Sequence, residues 1–386
     1  MISVRVIDQD EHLAFIRTQG SASFLQTPAW GLVKSDWRRE SLGWVEGDRV
    51  VGVALVLYRR LPRLKRSLAY LPEGPVIDWA TDDLADWLTP LAEHLRAQGA
   101  FGIRIGPPVV TRRWSAALVK EGITDEAVHL LGDVPPTERS PAGARVVSRL
   151  RELGWREQGV SGGFAAGQPR FNFQIPLLDD EGQPRSEADV LAGMNQQWRR
   201  NIKKADKAGV VVVSTSSTDE GSTTEGGVEA LTAFHELYVH TAARDGFTPR
   251  GLAYFQTMYD ALSAEQSDRI TVWLARHEDD LVAATIAIRV GTHAWYSYGA
   301  SSTEKRDVRG SNAIQWAMIR AALTAGAEVY DLRGITDTLD SDDPHVGLIQ
   351  FKVGTGGDAV EYAGEWDLPL NRLLYRAFEL YLRRRG

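Results

Sequence analysis

Lys352 is the residue of this sequence best placed to take part in a reaction. It stands in LIQFKVGTGG (348–357), between an apolar run and a glycine-rich turn. A lysine in such a place can pack its stem on a core and leave its ammonium group in water. It can also hold a fixed positive charge beside a reacting group and stabilise developing negative charge. The local pattern is compatible with both roles.

Two common hydrolytic mechanisms lack their residues in this sequence. There is no cysteine and no HExxH motif, so thiol and zinc-protease mechanisms have no anchor. A glycine–lysine phosphate loop of the Walker type is absent too. We therefore expect neither a metal nor a cofactor, and a group transferred by this protein arrives already activated.

A second set of polar side chains lies in RDGFTPRGLAYF (244–255), a turn followed by a predicted helix start. Thr248, Arg250 and Tyr254 offer a hydroxyl, a planar guanidinium and a phenol, which together could bind an anion. The alternative is that Arg250 forms an ion pair with Asp245, which would leave it a surface role.

A similar arrangement is found early in the chain, in QTPAWGLVKSDW (26–37). Its polar start and proline predict a short helix that bears Lys34 and Trp37. The segment predicts either a second binding site for an anion or an amphipathic helix with an exposed lysine.

The segment MNQQWRRNIKKADKAG (194–209) predicts a strongly basic helix with Asp206 as its one acid. The cations recur at helical spacing and share one broad face. Such a face is often only solvated, but it can also contact the phosphates of RNA. The candidate RNA-binding residues are Arg199, Arg200, Lys203, Lys204 and Lys207.

Composition places limits on the partners. The chain has 386 residues, 43% of them hydrophobic and 25% charged, as expected for a soluble globular protein of two domains. With a net charge of −7, a nucleic acid can only meet a local basic patch, and we expect no DNA partner. No apolar run approaches the roughly 20 residues of a membrane span. Since a signal sequence and cysteines are also missing, we expect a cytoplasmic protein.

The positioning elements are predicted by an internal repeat. WVEGDRVVGVALV (44–56) has the plan of WLARHEDDLVAATIA (273–287), and LRAQGAFGIRIG (95–106) parallels ALTAGAEVYDLRG (322–334). Both pairs are separated by nearly the same number of residues. The sequence therefore predicts a duplicated α/β unit.

The second copy shows its element order most clearly. Hydrophobic periodicity predicts an antiparallel meander between two helices, followed by one more strand. The predicted elements are a helix over 228–246, strands over 269–277, 281–290 and 293–301, a helix over 311–327 and a strand over 328–334. This is the order of an acyltransferase fold of the GNAT type.

We therefore predict an α/β (α+β) protein with two tandem GNAT-like domains. The first comprises residues 1–165 together with a returning helix over 365–386, and the second comprises residues 166–364. Within the second domain, STSSTDEGSTTEGG (214–227) is predicted to be a low-complexity surface loop.

The run FKVGTGGDAVEYAGEWDLPLN (351–371) resembles the Fem family of peptidoglycan-bridge aminoacyltransferases, which includes FemA, FemB, FemX and VanK. The likeness extends over nearly the whole chain, in the segments QTPAWGLVK, WRRNIKKADKAGV, GFTPRGLAYF, YSYGAS and AGAEVYDLRG. It implies two GNAT-like domains and transfer of an amino acid from aminoacyl-tRNA to the side-chain amine of a stem peptide. The acceptor would be the UDP-MurNAc-pentapeptide or its lipid-linked form, which leaves room for peripheral membrane contact.

The resemblance also implies roles for individual residues. Lys352 matches the family lysine that steadies the reacting carbonyl, with Phe351 beside it. Tyr298 matches a tyrosine that lines the substrate channel. The residues that match the binding site for the diphosphate and sugar of the precursor lie in the two segments with anion-binding potential, and they are Lys34, Thr248, Arg250 and Tyr254, with Trp37 next to the first.

Two departures from the family pattern are visible. Thr355 stands where many members have an aromatic residue, which predicts a wider or more polar channel floor. The long helical arm of some members is also missing, so contact with tRNA depends on the globular body.

Two other functions stay open at this stage. The fold could serve an acyl-CoA-dependent N-acyltransferase, although Asp307 stands where the phosphates of coenzyme A would lie. A non-catalytic RNA-binding or precursor-binding protein is the third alternative. Among the residues singled out, none is an evident base for the attacking amine, and a substrate phosphate or the tRNA ribose could accept its proton.

Overall fold

The computed structural model describes residues 2–61, 64–159, 167–215 and 224–383. The chain forms two compact units. Unit 1 consists of Met1–Arg113, Glu138–Arg170 and Glu361–Gly386, and unit 2 consists of Trp114–Thr137 and Phe171–Val360. In the described ranges, no helix is both long and apolar enough to cross a membrane.

The strands follow the hydrophobic alternation of the sequence. In chain order they are β1 (Ile2–Val6), β2 (Arg38–Glu46), β3 (Arg49–Arg60), β4 (Ser67–Leu71), β5 (Ala100–Ile105), β6 (Val110–Ser115), β7 (Glu138–Arg139), β8 (Arg156–Glu157), β9 (Phe171–Pro176), β10 (Val211–Ser214), β11 (Ile270–His277), β12 (Asp280–Val290), β13 (His293–Ser301), β14 (Val329–Ile335), β15 (Asp358–Tyr362) and β16 (Trp366–Pro369).

The helices follow the 3.6-residue hydrophobic period and mostly begin at capping residues. In chain order they are α1 (Gln9–Thr18), α2 (Pro28–Val33), α3 (Ala85–Ala97), α4 (Ala116–Thr124), α5 (Pro141–Glu152), α6 (Glu187–Gly193), α7 (Gln196–Lys207), α8 (Thr224–Asp245), α9 (Leu252–Glu265), α10 (Gly310–Thr324), α11 (Val346–Val353) and α12 (Arg372–Arg383).

Unit 1 is built on a sheet with the strand order β1-β2-β3-β4-β5-β16-β8. The strands β2, β3 and β4 form an antiparallel meander, and β5 then pairs with β4 in parallel after the helix α3. The helix buries Leu88 and Leu91 in the same core as Trp44 of β2. The indole nitrogen of Trp44 donates to the carbonyl oxygen of Trp87 over 2.7 Å, which fixes the helix on the sheet.

Helix α12 packs within unit 1, where the sequence predicted a returning helix. Its aromatic residues Tyr375 and Phe378 bury against Phe101 of β5 and Leu68 of β4. The Tyr375 hydroxyl donates to the carboxylate of Asp367, which is buried in β16. One face of α12 is thereby fixed to the sheet.

Unit 2 repeats the same order of elements. Strands β11, β12 and β13 form an antiparallel meander, α10 follows, and β14 pairs with β13 in parallel. Strand β9 extends the sheet on the far side of β14, in antiparallel orientation. The predicted order of meander, helix and parallel strand is therefore present in both units.

The first hairpin of each meander turns in the same way. Glu46 pairs with Arg49 across a two-residue turn in unit 1, and His277 pairs with Asp280 across one in unit 2. The first turn residue has positive φ in both, at 62° for Gly47 and 56° for Glu278. Glycine adopts this backbone region at no steric cost, whereas glutamate does so only where the turn requires it.

Residues 114–137 belong to unit 2, whereas the predicted boundaries put them in the first domain. The reason is burial. Trp114, Val119 and Leu131 enter the same core as Phe171 of β9, and the Trp114 indole donates to the Val134 carbonyl over 2.7 Å. These contacts join residues far apart in sequence, so no local pattern shows them.

Three further points concern the bounds of the predicted elements. Helix α2 ends at Val33, so Lys34 is its C-cap and Trp37 lies beyond it rather than on the helix. Helix α9 is capped by Gly251, after the segment that carries Thr248 and Arg250. Of the predicted loop over 214–227, residues 216–223 lie outside the described residues, and α8 already begins at Thr224.

Candidate active site

Lys352 lies on α11, and its whole side chain is buried, with 3% of the residue exposed. The ammonium nitrogen Nζ donates to the carbonyl oxygen of Gly334 over 2.7 Å and to that of Arg333 over 3.2 Å. The head group is therefore not in bulk solvent, and the alternative of a solvated head group does not describe this residue.

The two carbonyls face Lys352 because β14 is irregular at this point. The pairing of β14 with β9 shifts register between Asp331 and Gly334. Arg333, inside that shift, has φ of 61°, a left-handed conformation that costs a non-glycine residue about 1–2 kcal/mol. Oδ1 of Asp331 accepts the backbone N–H of Arg333 over 2.6 Å and so stabilises the bulge.

Asp331 is itself held by a buried polar network. Its Oδ2 accepts from Nε2 of Gln174 over 2.9 Å and lies 3.2 Å from Nε2 of His293. Burial alone would raise the pKa of Asp331, but the hydrogen bond and charge of His293, the charge of Arg333 and the bond from Gln174 together lower it. The carboxylate is therefore charged, and its position is fixed from three sides.

The electrostatics of Lys352 follow from this surrounding. Burial lowers the pKa of Lys352 to about 7, because the charged form has lost its water. The negative charge of Asp331 opposes this shift, and the positive charge of Arg333 adds to it. Near neutral pH the group is thus divided between ammonium and amine.

Phe351 connects the lysine-bearing helix to the basic helix α7. Its ring lies 4.7 Å from the ring of Trp198, and its carbonyl oxygen accepts from the Trp198 indole nitrogen over 2.8 Å. Asn195 caps α7 through Trp198 N–H and also donates its own N–H to the Gly354 carbonyl over 3.0 Å. The start of α7 is therefore attached to the end of α11 by both side chain and backbone.

The glycine-rich turn after Lys352 allows this close packing. A Cβ at Gly354 would overlap the Trp198 ring, and one at Gly356 would overlap the carbonyl oxygen of Gly193. Gly356 also has φ of 78°, the left-handed region that favours glycine. Thr355 between them is buried, and its hydroxyl donates to the Lys352 carbonyl over 2.6 Å.

Replacement of Gly356 by alanine should therefore destabilise the protein strongly. The left-handed backbone costs about 1–2 kcal/mol and the overlap about 1–3 kcal/mol, so we expect a loss of about 3 kcal/mol in the free energy of unfolding. Urea and thermal unfolding measure it. The matched control is Gly347→Ala, because Gly347 lies in α11 with no atom near its Cβ position and alanine favours a helix. Equal stability of the two variants would contradict the packing role of the turn.

Arg250, Tyr254 and Tyr298 come together in unit 2. The guanidinium carbon of Arg250 lies 4.6 Å from the centre of the Tyr254 ring, and the hydroxyls of Tyr254 and Tyr298 are 3.3 Å apart. Asp245, the alternative partner of Arg250, instead accepts two hydrogen bonds from Arg244. The exposed Arg250 guanidinium has no acidic partner within the described residues.

Tyr254 is kept neutral at this site. Burial raises its pKa most, and the neighbouring Tyr298 adds to the rise while the charge of Arg250 opposes it. A neutral phenol can donate a hydrogen bond to an anion that Arg250 attracts. Thr248 is exposed two residues before Arg250.

The cations of the basic helix α7 fall into two groups, one bonded to neighbouring carbonyls and one exposed. Arg199 is half-buried, and its Nη1 donates to the carbonyls of Ala192 and Met194, so it closes the end of α6 rather than facing solvent. The other four cations are exposed, with no acidic partner in the described parts of the chain. They are Arg200, Lys203, Lys204 and Lys207.

In unit 1, Lys34 and Trp37 lie beside aromatic residues. The Nζ atom of Lys34 is 4.9 Å from the centre of the Trp30 ring. The ring of Trp37 is 6.3 Å from that of Tyr70, and the guanidinium of Arg59 lies 5.7 Å from the Trp37 ring. This region combines positive charge with flat apolar surfaces, which suits a nucleotide or sugar diphosphate.

Sequence reasoning missed the network of Asp331, His293 and Gln174. The only local signal is the VYDLRG stretch of β14, where an acid and a glycine enclose Arg333. Among the described residues, no group of histidines and acids could hold a metal ion.

Comparison with known proteins gives the relationships of the chain. The FemAB family matches residues 7–276 and 270–383. The lipid II:glycine glycyltransferase of Staphylococcus aureus (strain USA300) is 25% identical over 442 residues, which cover 97% of this chain and 94% of that protein. The corresponding protein of strain MRSA252 is similar to the same extent, at 25% over 442 residues.

Solved structures show the same fold. A crystal structure of FemX is 23% identical, with a TM-score of 0.77 over 98% of this chain and 100% of that one. L-PGS from Bacillus licheniformis has a TM-score of 0.53 at 9% identity, over 97% of this chain and 96% of that one. The predicted α/β fold of two similar units is thereby confirmed, and the chain belongs to the FemAB family.

Proposed function

We propose that this protein is an aminoacyltransferase that moves an amino acid from aminoacyl-tRNA to the side-chain amine of a stem peptide in a peptidoglycan precursor. The observation that supports this function most is the buried Lys352, whose Nζ is held by the Gly334 and Arg333 carbonyls. This buried lysine belongs to a member of the FemAB family that is similar to a lipid II:glycine glycyltransferase.

The chemistry requires little more than position and charge. The donor ester is activated, so the free amine of the acceptor attacks its carbonyl carbon and forms a carbon–nitrogen bond. Negative charge then develops on the carbonyl oxygen. The Lys352 ammonium uses two N–H groups for the β14 carbonyls, which leaves one to donate to this oxygen.

The second half of the reaction breaks the ester bond. The carbon–oxygen bond to the tRNA ribose opens, and the amine nitrogen loses one proton as the amide forms. The ribose oxygen leaves with a negative charge and is the acceptor for that proton, so no protein base is required. Asp331 is the charged carboxylate nearest in this network, but its oxygens already accept from Arg333, Gln174 and His293.

The precursor would be held through its diphosphate. Arg250, Tyr254 and Tyr298 provide one site with a guanidinium and two phenols, and Thr248 is close in sequence. Lys34 and Trp37 are the proposed contacts in unit 1. Since the UDP-linked and lipid-linked precursors share a diphosphate, these residues would serve either acceptor.

The tRNA would be held by the exposed cations of α7, Arg200, Lys203, Lys204 and Lys207. Their position supports this role, because Trp198 at the start of α7 bonds to Phe351, the neighbour of Lys352. A polyanion bound along α7 is therefore attached to the helix that carries the reacting charge.

A variant with Lys203→Gln, Lys204→Gln and Lys207→Gln should bind tRNA more weakly and with less salt dependence. Each phosphate contact adds about 0.7–0.9 to the slope of log affinity against log salt, so the slope should fall by about 2–3. Filter binding of a charged tRNA between about 50 and 200 mM salt gives both quantities.

The matched control removes three exposed cations of other elements, α4, α5 and β11: Lys120→Gln, Arg145→Gln and Arg276→Gln. It changes the net charge by the same amount but should leave the salt slope almost unaltered. An equal loss in both variants would mean that tRNA responds to total charge, and α7 would then have no specific role.

The direct test is transfer by the purified protein. A radiolabelled amino acid on tRNA is offered together with the UDP-linked or the lipid-linked precursor, and labelled precursor is the expected product. Transfer from acyl-CoA without tRNA would instead establish an acyl-CoA-dependent enzyme. Precursor binding without turnover, for every charged tRNA tried, would establish a binding protein. A cytoplasmic location stays a prediction from sequence.

A further inference from the structure

Unit 1 has a surface on which cations and exposed leucines lie side by side. One part of it is the tip of the hairpin between β3 and β4. Arg60, Lys65 and Arg66 are exposed there, and Leu64 has 45% of its surface in solvent. In the sequence, the stretch RRLPRLKR (59–66) contains five cations and no acid.

The other part is the outer side of α12. Its inner side is fixed to the sheet, but Leu373 is 79% exposed and Leu380 is 53% exposed. They are seven residues apart and therefore lie on one line along the helix. The exposed Arg372 and Arg376 flank this line, and Arg383, Arg384 and Arg385 follow in the sequence.

The two parts meet at the cluster that holds α12 on the sheet. Leu61 of the hairpin packs against the cluster of Leu68, Tyr375 and Phe378, which fixes α12 to the sheet. We name the exposed Arg60, Leu64, Lys65 and Arg66 together with the outer side of α12 the basic face. Both parts of the basic face are attached to this packed cluster, so the exposed leucines belong to fixed elements of unit 1.

The charge of the basic face contrasts with that of the whole chain. The stretches 59–66 and 372–385 together contain ten Lys and Arg and one acid, Glu379, although the net charge of the chain is −7. Within the described ranges, Lys65, Arg372 and Arg376 form no ion pair with an acid. These three cations of the face are therefore not neutralised by an ion pair within the part of the chain that the structure describes.

We propose that the basic face docks unit 1 on the surface of an anionic lipid bilayer. Clustered cations are attracted to anionic headgroups, and leucines between them can enter the boundary of the acyl chains. Both features of the face then have one explanation. The inference does not depend on the proposed transfer reaction, but it would bring the protein to a surface where a lipid-linked acceptor is found.

Two other occupants fit the face less well. A nucleic acid would use the cations but would leave the leucines in water, since bases stack on aromatic rings rather than on aliphatic side chains. A second copy of the chain, related by a two-fold axis, would bring Arg372 and Arg376 towards the same residues of its partner. The anionic bilayer alone uses both the charge and the apolar line.

The test is sedimentation of the full-length protein with vesicles at about 0.1 M salt. One set contains phosphatidylcholine with 30 mol% phosphatidylglycerol, and the other contains phosphatidylcholine alone. We expect binding to the anionic set. A variant with Lys65→Gln, Arg372→Gln and Arg376→Gln should lower the partition coefficient about 100-fold, from about fivefold per cation.

A second variant, Leu64→Ser with Leu373→Ser, should lower the partition coefficient at least fivefold without a change in net charge. Both leucines are exposed, so folding should be retained and is checked by thermal unfolding. The matched control is the α7 variant with Lys203→Gln, Lys204→Gln and Lys207→Gln, which should bind vesicles as the unmodified protein does.

Four results would overturn the proposal. These are no binding to anionic vesicles, unaltered binding by the three-cation variant of the face, and an equal loss in the α7 control. The fourth is that the variants of the face lose tRNA affinity, or convert a dimer to a monomer in sedimentation velocity, while vesicle binding stays. Transfer to the soluble UDP-linked acceptor is measured separately, so failure of the proposed reaction would leave the vesicle result intact.

Discussion

Replacement of Lys352 by methionine should lower the rate of aminoacyl transfer by about 10²–10³ while the protein stays folded. The expected loss is that of one oxyanion donor in other enzymes. Methionine is close to lysine in length and can occupy the same buried space. It cannot donate to the carbonyl oxygens of Arg333 and Gly334, nor to the oxygen of the reacting ester.

The measurement is single-turnover transfer from charged tRNA, with acceptor affinity measured in parallel. If Lys352 acts on the reacting carbonyl, the variant loses rate and keeps its affinity for the precursor. The matched control is Arg250→Gln, which should weaken precursor binding more than it lowers the rate constant at saturation. Turnover of the methionine variant at the unmodified rate would remove Lys352 from the mechanism.

The second large effect concerns pH. The acceptor amine must be uncharged to attack, and its ordinary pKa is near 10.4, so its free fraction rises tenfold per pH unit below that value. Lys352 must be charged to stabilise the oxyanion, and its pKa is lowered to about 7. Above pH 7 each gain in free amine is therefore cancelled by an equal loss of ammonium.

The transfer rate should consequently rise about tenfold per pH unit below pH 7 and become level above it. At pH 8.5 it should lie about 30-fold below the line extended from low pH. The methionine variant has no ammonium to lose, so its residual rate should keep rising through the same window. A rise of a hundredfold per unit below pH 7 would show instead that Lys352 works as a base.

A variant of Asp331 provides a matched test of the same dependence of the transfer rate on pH. Its negative charge keeps the pKa of Lys352 from falling further. Asp331→Asn retains an oxygen that can accept the N–H of Arg333 but removes the charge. The pH at which the transfer rate becomes level should therefore fall below 7. If that pH does not change, the levelling does not reflect the ionisation of Lys352.

Local patterns in the sequence predict the regular parts of the fold well. The strands β11, β12 and β13 appear within a residue or two of their predicted bounds, because alternation and turn residues are local signals. The placement of 114–137 in unit 2 was not predictable in this way. It depends on the burial of Trp114 against Phe171, a contact between residues distant in sequence.

In the candidate site, too, the residues with a local sequence signal were predictable and those that depend on distant contacts were not. Lys352 stands out in the sequence because a lysine in an apolar run is unusual, and Arg250 because of its neighbours. The Asp331 network could not be predicted, since it depends on a register shift between β14 and β9. The sequence places Arg199 among the candidate RNA-binding residues of α7. Its guanidinium instead donates to carbonyls at the end of α6, and a sequence pattern does not show where those carbonyls lie.

The bulge in β14 coincides with a difference in length between the two repeats of the chain. The stretch from Gly99 to Gly106, which contains β5, is one residue shorter than the matching stretch from Gly326 to Gly334. The longer stretch contains Arg333, whose backbone turns a carbonyl towards a cation. The two repeats therefore differ in length by one residue at the point where unit 2 binds its buried ammonium group.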